Sequence, residues 1–544
     1  MKRIIFLFIL IINFRYIDSQ SILNSEKNTY YNLLFLSGEL DRTTLNYKTI
    51  SELEFDIDEQ KYIWNNITFD KRKYINDEMY YKFFSPELYL SLNTATPYGI
   101  NDEALWQGKG INSEINLGFK FSYYGMNITF YPELTFSQNL DFEYIKPNYN
   151  GEEYDNKANI YGYYGLKSID APQRFGNKSF FTFNFGQSEI RYSHNNFTIG
   201  FGTQSIWLGP AKINPIIHSN NSPSYPKIDF GIRKTKLSIN NIFLGEIEFR
   251  YWLGYLHESK YFDNNSSNDE NLITGIAIAY EFPFFDGLSL GFNRTMTSKW
   301  ENITPYSLFT LMIPFMEESA GYDKNDQRAS IVANYFIPNG GINFYLEWAR
   351  NDYNTGIDNL IRYPFHTQAF TLGFDKSLKI SKIFLGELIF ELSYLESSMD
   401  YHFFYDWGGS GNSFYTHHII TQGYTNYGQY LGAGIGSGGN SQYIEFKLYY
   451  PIGHTSFFIQ RANPDMNYSY FQDNEEGKTN TQKKYSIRAF VDFGLSSFFY
   501  LNSNFHTKFS IVFRDEHNPL NENRKLDSIH RYNTHISFWI KYVI

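Results

Sequence analysis

The 544-residue chain contains no cysteine. That removes disulfides, a thiol nucleophile and thiolate metal ligation at one stroke. It has no excess of positive charge either: the formal net charge is −10, which leaves no electrostatic case for binding nucleic acid. After the first dozen residues no segment approaches the ~20 consecutive apolar residues that a membrane-crossing helix needs. Mean hydropathy is accordingly −0.42, although Tyr and Phe number 47 and 52. Many aromatics at low hydropathy suit strands that alternate lipid-facing with lumen-facing residues. An AT-rich genome would also enrich Tyr, Phe, Asn, Ile and Lys, but it cannot create alternation.

What is present begins with Lys2 and Arg3, followed by an unbroken apolar stretch over residues 4–12. Asp18, Ser19, Gln20 and Ser21 then form a polar stretch with small residues. This pattern predicts a cleaved signal peptide over 1–20, cut after Ser19 or Gln20, and with no cysteine following there is no lipoprotein anchor. Residues 21–85 read as a small, partly helical periplasmic element. Tyr31, Leu34, Phe35 and Leu36 have roughly helical spacing, and Ser25 is a plausible N-cap.

From about Pro86 to the C-terminus the period becomes two. Ile115, Leu117, Phe119, Phe121 and Tyr123 alternate with Glu114, Asn116, Gly118, Lys120 and Ser122. Ile342, Phe344, Leu346 and Trp348 alternate with Asn343, Tyr345, Glu347 and Ala349. Ile247, Phe249 and Tyr251 are interleaved by Glu246, Glu248 and Arg250, and the stretch from Tyr485 to Phe493 alternates likewise. Short turns at Gly125, Asn240 with Asn241, Pro338 to Gly340 and Pro451 to Gly453 would face the periplasm. Longer polar connections, about 139–176, 259–270, 299–326, 398–440 and 462–482, would face outside. Counting gives about 16–18 strands of an up-and-down barrel exported to an outer membrane. The last segment agrees: Ile536, Phe538, Ile540, Tyr542 and Ile544 share one face, as in the terminal strand that barrel-assembly machinery reads. The final residue is Ile where such strands usually carry Phe.

Motifs for catalysis and metals are weak. Gly434, Gly436 and Gly439 match the letter of a dinucleotide fingerprint but lack the following helix, so they read as a flexible glycine loop. The glycines after Trp407 lack the Lys-Ser/Thr of a phosphate loop. His417 and His418 are adjacent, and on a strand they would point to opposite faces. No nucleophile elbow or Ser–His–acid spacing is visible. The expectation is a non-enzymatic protein with no cofactor and no metal.

The segment from Phe201 to Asp229 is irregular, proline-rich and dense in Asn and Ser, between two clear strands. Trp207 and the run Ser219, Asn220, Asn221 suit stacking on and hydrogen bonding to the neutral hydroxyls of sugars. The same residues suit an inward-folded loop that plugs the lumen, and the two readings are compatible. Outer loops rich in Tyr, around Tyr161 to Tyr164 and Tyr401 to Asp406, would also meet glycan.

Several blocks, in order and spacing, resemble the capsule-assembly Wzi family of outer-membrane proteins, its Bacteroidetes-type members in particular. They are the stretch from Pro97 to Gly108 ending in Trp106, Gln107 and Gly108; Ile169 to Gly176 with Asp170, Pro172, Gln173 and Arg174, followed by Gly186, Gln187 and Ser188; Trp207 to Pro223; and Gly423 to Gly432. The third departs from the family pattern at Leu208, where a second Trp is usual, and at Ala211 and Ser222; the fourth departs at Gln429, where Arg is frequent. The departures at Leu208 and Gln429 remove one stacking surface and one fixed cation.

The resemblance implies an all-β transmembrane antiparallel barrel of about 18 strands with a small helical element at its periplasmic mouth. It also implies retention of capsular or exopolysaccharide at the cell surface, as a membrane lectin with an occluded lumen. Trp106, Gln107, Asp170, Gln173, Arg174, Trp207, Asn214, Ser219, Asn220, Asn221, Tyr424, Asn426 and Gln429 are then the candidates for polysaccharide binding or for the lumen plug. Outer-membrane lipid and the barrel-assembly machinery are the other expected partners, with no nucleic acid. The alternative is a diffusion channel lined by Glu246, Glu248, Arg250, Glu445, Lys447, Arg488 and Asp492, which would instead pair across an occluded barrel. A third reading, a lipid hydrolase on the barrel wall, needs a Ser and a His whose loss abolishes lipase activity.

Overall fold

The computed structural model describes residues 26–53, 63–64, 69–76, 78–145, 168–263, 265–304, 308, 325–351, 361, 367–396, 414–464, 466, 487–521 and 529–544. The expected signal peptide, the Ser25 cap, the glycines after Trp407, and the Tyr161–Tyr164 and Tyr401–Asp406 loops lie outside these residues.

Period-two alternation gives strands of 10–16 residues, apart from the two-part β3 and β4 and the six-residue β5, long enough to cross a bilayer when tilted. They are β1 (Met79–Asn93), β2 (Gly110–Tyr123), β3 (Met126–Phe130 and Glu133–Ser137), β4 (Phe180–Asn184 and Glu189–His194), β5 (Phe197–Gly202), β6 (Lys227–Ile239), β7 (Ile242–His257), β8 (Glu270–Glu281) and β9 (Leu288–Lys299). The series continues with β10 (Asn325–Ile337), β11 (Ile342–Asn351), β12 (Gln368–Lys379), β13 (Leu385–Tyr394), β14 (Asn440–Tyr450), β15 (Gly453–Asn463), β16 (Ala489–Asn502), β17 (Phe505–His517) and β18 (His530–Tyr542). Each pairs antiparallel with its chain neighbour, and β18 closes on β1 with Phe538 opposite Leu90. The result is a closed 18-strand up-and-down barrel.

Proline accounts for the irregular places, because it supplies no N–H to a ladder. Pro86 sits in a register shift of β1 between Phe84 and Glu87, and Pro132 separates the two halves of β3. At the Asn240–Asn241 turn both residues take left-handed backbone, φ 49° and 64°, as a two-residue hairpin between right-twisted strands demands.

The alternation sorts the two faces as expected. On β2, Asn112, Glu114, Asn116 and Lys120 are buried in the lumen, whereas Ile111, Leu117 and Phe119 are exposed on the outer wall. The short turns gather at one end of the barrel, and the described parts of the long connections at the other. An 18-strand barrel is wide enough to leave an aqueous channel unless something fills it. Here the lumen is filled from both ends.

From the short-turn end comes helix α1 (Glu26–Leu36), which buries Tyr30, Tyr31, Leu33 and Leu34. It ends at Gly38, φ 72°, with Gly38 N–H donating to Phe35 O and Glu39 N–H to Leu34 O. Its apolar side packs with Trp64 against the lumen-facing Tyr449, Phe498, Tyr500 and Trp539. At its N-terminus Glu26 pairs with Lys508 at 2.8 Å and with His454. The helical element therefore sits inside the mouth of the barrel.

Candidate functional site

From the long-loop end, four segments fold inward and meet: 94–109, 168–176, 203–226 and 414–439. They form a plug with its own apolar core, in which Ile206, Leu208, Ile216, Ile217, Tyr415, Tyr424 and Leu431 pack with Trp252 and Ile273 of the wall. Irregular backbone inside a barrel must find partners for its N–H groups. Wall carboxylates supply them. Glu391 on β13 accepts the backbone N–H of Lys212 and of Asn214, each at 2.7 Å, with Ile213 between them. Glu347 on β11 accepts Ile216 and Ile217. Glu248 on β7 does the same for the stretch that follows α1, taking Leu45 at 2.7 Å, Asn46 at 3.1 Å and Tyr47 at 2.6 Å. That stretch then pairs with the plug, Tyr47 opposite Leu208 and Lys48 opposite Trp207. The two fillings thus join into one structure.

The structure brings most of the sequence-selected residues together in this plug. Asn214 donates to Ser441 Oγ and accepts from Ile435 N–H. Ser219 Oγ donates to the Gly432 carbonyl at 2.6 Å. Asn220 donates to Glu103 at 3.2 Å, and Asn221 joins Asn101 to the Tyr430 carbonyl. Trp207 Nε1 donates to Ala211 O, and Gln107 Oε1 accepts from Ser91 and Tyr89. Tyr424 donates to Thr295, stacks on Tyr415 and lies under the Arg328 guanidinium, 4.3 Å from the ring centre. Asn426 donates to Pro223 O and accepts His257 N–H. Asp170 accepts Ser259 N–H and Oγ–H, Gln173 brackets Ile145, and Arg174 pairs with Asp141 at 2.5 Å. Gln429 donates to the Glu103 carbonyl at 3.4 Å.

Three sequence expectations need correction. Leu208 is fully buried in the plug core, so that position offers no stacking surface to a ligand. The glycine run from Gly434 is packed, not a flexible loop: a Cβ at Gly434 would strike Ile100 and Asn221, and one at the preceding Gly432 would overlap the Ile216 carbonyl oxygen. At Gly432 glycine is required because the Ile216 backbone carbonyl lies where a Cβ would stand. His417 and His418 stand on a turn, not a strand, with ring centres 4.8 Å apart. His417 Nδ1 accepts the N–H groups of Ile419 and Ile420, which occupies that ring nitrogen.

Sequence reading missed Glu103 and His218. Glu103 receives Gln187 and Asn220 and so ties two plug segments to β4 of the wall. His218 Nδ1 lies 3.0 Å from the carbonyls of Ile206 and Ser219, which requires the proton on Nδ1. Its Nε2 then accepts the Tyr225 hydroxyl at 2.8 Å. Burial pushes His218 down to about 3, so it is neutral.

Of the seven charges that would line a channel, six are ion-paired and Glu248 holds backbone N–H groups instead. Arg250 binds Asp229 at 2.6 Å and Glu52 at 2.8 Å; Glu246 pairs with Lys234, Glu445 with Lys447, Arg488 with Glu516 and Asp492 with Arg514. Between α1 and the plug lies a polar cavity of about 380 Å³, lined by Glu26, Asn32, Tyr98, Asp102, Lys447 and His535 among others. Asp102, on the underside of the plug, is pushed up to about 7, chiefly by burial, with Glu103 adding to the rise.

Toward the long-loop end the plug carries a row of half-exposed rings. Trp106 meets Phe175 edge to face at 4.7 Å, and Phe175 meets Tyr261 at 5.9 Å. Tyr427, 46% exposed, stacks on His257 at 5.3 Å and 9°. Of these only Trp106 was selected from sequence. Phe175 and Tyr427 stand inside the quoted blocks, but nothing in the sequence says which ring of a block faces out.

The fold is similar to the solved Escherichia coli Wzi, described there as an outer membrane protein involved in group 1 capsule assembly and a carbohydrate-binding β-barrel. The TM-score is 0.54 at 13% identity, covering 85% of each chain. It is also similar to Pseudomonas aeruginosa OprD, with a TM-score of 0.39 at 10% identity over 85% of this chain and 94% of that one. Acinetobacter baumannii OccAB4 gives 0.40 at 9% identity over 86% and 98%. No curated protein sequence matches the chain. The model of the family described as capsule assembly protein Wzi matches residues 93–512, well over half of the chain. This outer-membrane β-barrel belongs to the capsule assembly protein Wzi family.

Proposed function

We propose that this barrel binds and retains capsular or related surface polysaccharide at the cell surface, without catalysing a reaction. The observation that carries the reading is the ring row Trp106–Phe175–Tyr261 with Tyr427, standing at the outer end of a lumen that is filled. Flat aromatic faces suit the apolar faces of sugar rings. A plug pinned by Glu347 and Glu391 suits a binding surface better than a diffusion path. The carbohydrate-binding description of the Escherichia coli relative is consistent with this. Residues 1–20 act as a cleaved export signal, in keeping with Lys2, Arg3 and the apolar stretch over 4–12. The exposed apolar wall, with Ile111, Leu117 and Phe119, faces outer-membrane lipid, and the terminal strand β18 is read by the barrel-assembly machinery.

The test is to delete the gene and measure how surface polysaccharide partitions between cells and medium. Unchanged total polysaccharide that shifts into the medium is the expected result. Polysaccharide that stays cell-bound would overturn the retention reading.

A further inference from the structure

At the outer end of β7 the chain enters a loop that gathers carboxylates. Glu258, Asp263 and Asp269 present one oxygen each, all within 4.8 Å of one another. The Asp170 carboxylate stands beside them, held by Ser259 N–H at 2.5 Å and Ser259 Oγ at 2.7 Å. Glu258 is the telling member. It is 3% exposed, and neither of its carboxylate oxygens has a hydrogen-bond partner among the described residues. A buried carboxylate left without donors is costly in either protonation state. Its neighbours Asp170, Asp263 and Asp269 repel its charge, and Lys299 offsets only part of this. His257 is the basic neighbour of Asp170.

We infer that Glu258, Asp263 and Asp269 form a binding site for a divalent cation, and specifically for Ca²⁺. An oxygen-only donor set selects a hard cation over zinc or copper. Calcium–oxygen bonds of about 2.3–2.6 Å place opposite ligands roughly 5 Å apart, which matches the spread of these oxygens. The irregular loop suits calcium's flexible coordination, whereas Mg²⁺ asks for a tighter octahedron. The loop is also shaped around its acids. Asp263 accepts Asn265 N–H at 2.7 Å, and Glu258 N–H donates to Asp269 O at 2.9 Å.

The ion would do more than neutralise charge. The same loop bonds to the plug through Asn268 to Thr421 and through the Tyr427 N–H to His257 O. It also carries Tyr261, which packs on Phe175. A bound cation would fasten this loop over the plug and fix one end of the ring row. The cation site does not depend on the polysaccharide reading.

The experiment is a calorimetric titration of CaCl₂ into the full chain, refolded in detergent without lipopolysaccharide and stripped with chelator. Melting curves with and without Ca²⁺ accompany it. One saturable site is expected, in the ~10⁻⁴–10⁻³ M range of extracellular calcium modules, with weaker Mg²⁺ binding. Glu258→Gln should weaken Ca²⁺ binding at least about tenfold and abolish the calcium-dependent rise in Tm, while melting no lower than the parent in chelator. If Glu258→Gln does not fold, the surface pair Asp263→Asn with Asp269→Asn should show the same loss. No saturable Ca²⁺ binding by the parent, or binding in the folded variant equal to the parent's, would overturn the inference.

Discussion

The Glu391 carboxylate, on the barrel wall, accepts the Asn214 backbone N–H at 2.7 Å across the lumen. With the neighbouring N–H groups of Lys212 and Ile213, and with Glu347 beneath Ile216 and Ile217, it makes the wall the anchor of the plug. A buried hydrogen bond contributes about 0.5–1.5 kcal/mol, and several converge on each carboxyl. Removing both carboxylates should therefore free the 212–217 stretch while leaving the strands paired. In planar bilayers the parent should be electrically silent, and the double variant Glu347→Ala/Glu391→Ala should open. Steady large openings of the parent would return the channel reading to first place.

The ring row makes a different demand. Trp106→Ala and Tyr427→Ala should each weaken polysaccharide binding, because a favourable aromatic contact contributes roughly 1 kcal/mol, or about fivefold. Their melting temperatures should stay close to the parent's, since both rings are partly open to solvent. Trp207→Ala should do the reverse. That ring is buried in the plug and donates to Ala211 O, so its loss should lower Tm. Equal loss of binding in all three variants, at unchanged Tm, would contradict this division of roles.

Much of this architecture could be read from alternation alone, and the reason is physical. Every wall strand separates lipid from lumen, so residues such as Glu114 and Leu117 must obey the period of two. The plug answers to no such periodicity. Trp207, Asn214 and Ser219 to Asn221 form an irregular polar stretch that is visible in the sequence, but its partners are not. Glu103 and Gly432, 329 positions apart in numbering, meet the same segment of plug only after the barrel has closed. The carboxylates of the 258–269 loop are silent in the sequence for a similar reason. The informative feature there is that Glu258 is buried without donors among the described residues, which no sequence pattern displays.

Asp102 gives a signed dependence on pH. Its carboxyl is raised to about 7 in the folded protein, against about 3.9 in an unfolded chain. Between those values the folded state holds the proton that the unfolded state has released. Stability from this group is therefore present in full below about pH 4 and is lost as pH rises toward 7. Asp102→Asn should remove the loss, so its Tm advantage over the parent should grow between pH 4.5 and pH 8. Asp170 and Glu258 tilt the curve in the same direction, and the difference between the two proteins isolates Asp102. A difference that stays constant across the range would show that this carboxyl is not protonated in the folded state.

Gly432 tests whether the plug is a packed body or a loose loop. Ser219 Oγ donates to the Gly432 carbonyl at 2.6 Å, and Ser219 N–H donates to Leu431 O at 2.8 Å, so the two segments lie side by side. A Cβ on Gly432 would run into the Ile216 carbonyl oxygen and the Tyr415 hydroxyl. The Ile216 carbonyl is backbone, and its own amide is tied to Glu347, so it has little room to give way. Gly432→Ala should then cost about 1–3 kcal/mol in plug packing, the usual range for an overpacked core. Protease added to intact cells reads this directly. Cleavage should appear within 203–226 or 414–439 in the variant under conditions that leave the parent whole, while the heat-modifiable gel shift of the closed barrel persists in both. A variant as resistant as the parent would mean that the segments separate at no cost and that the plug is not held as a packed unit.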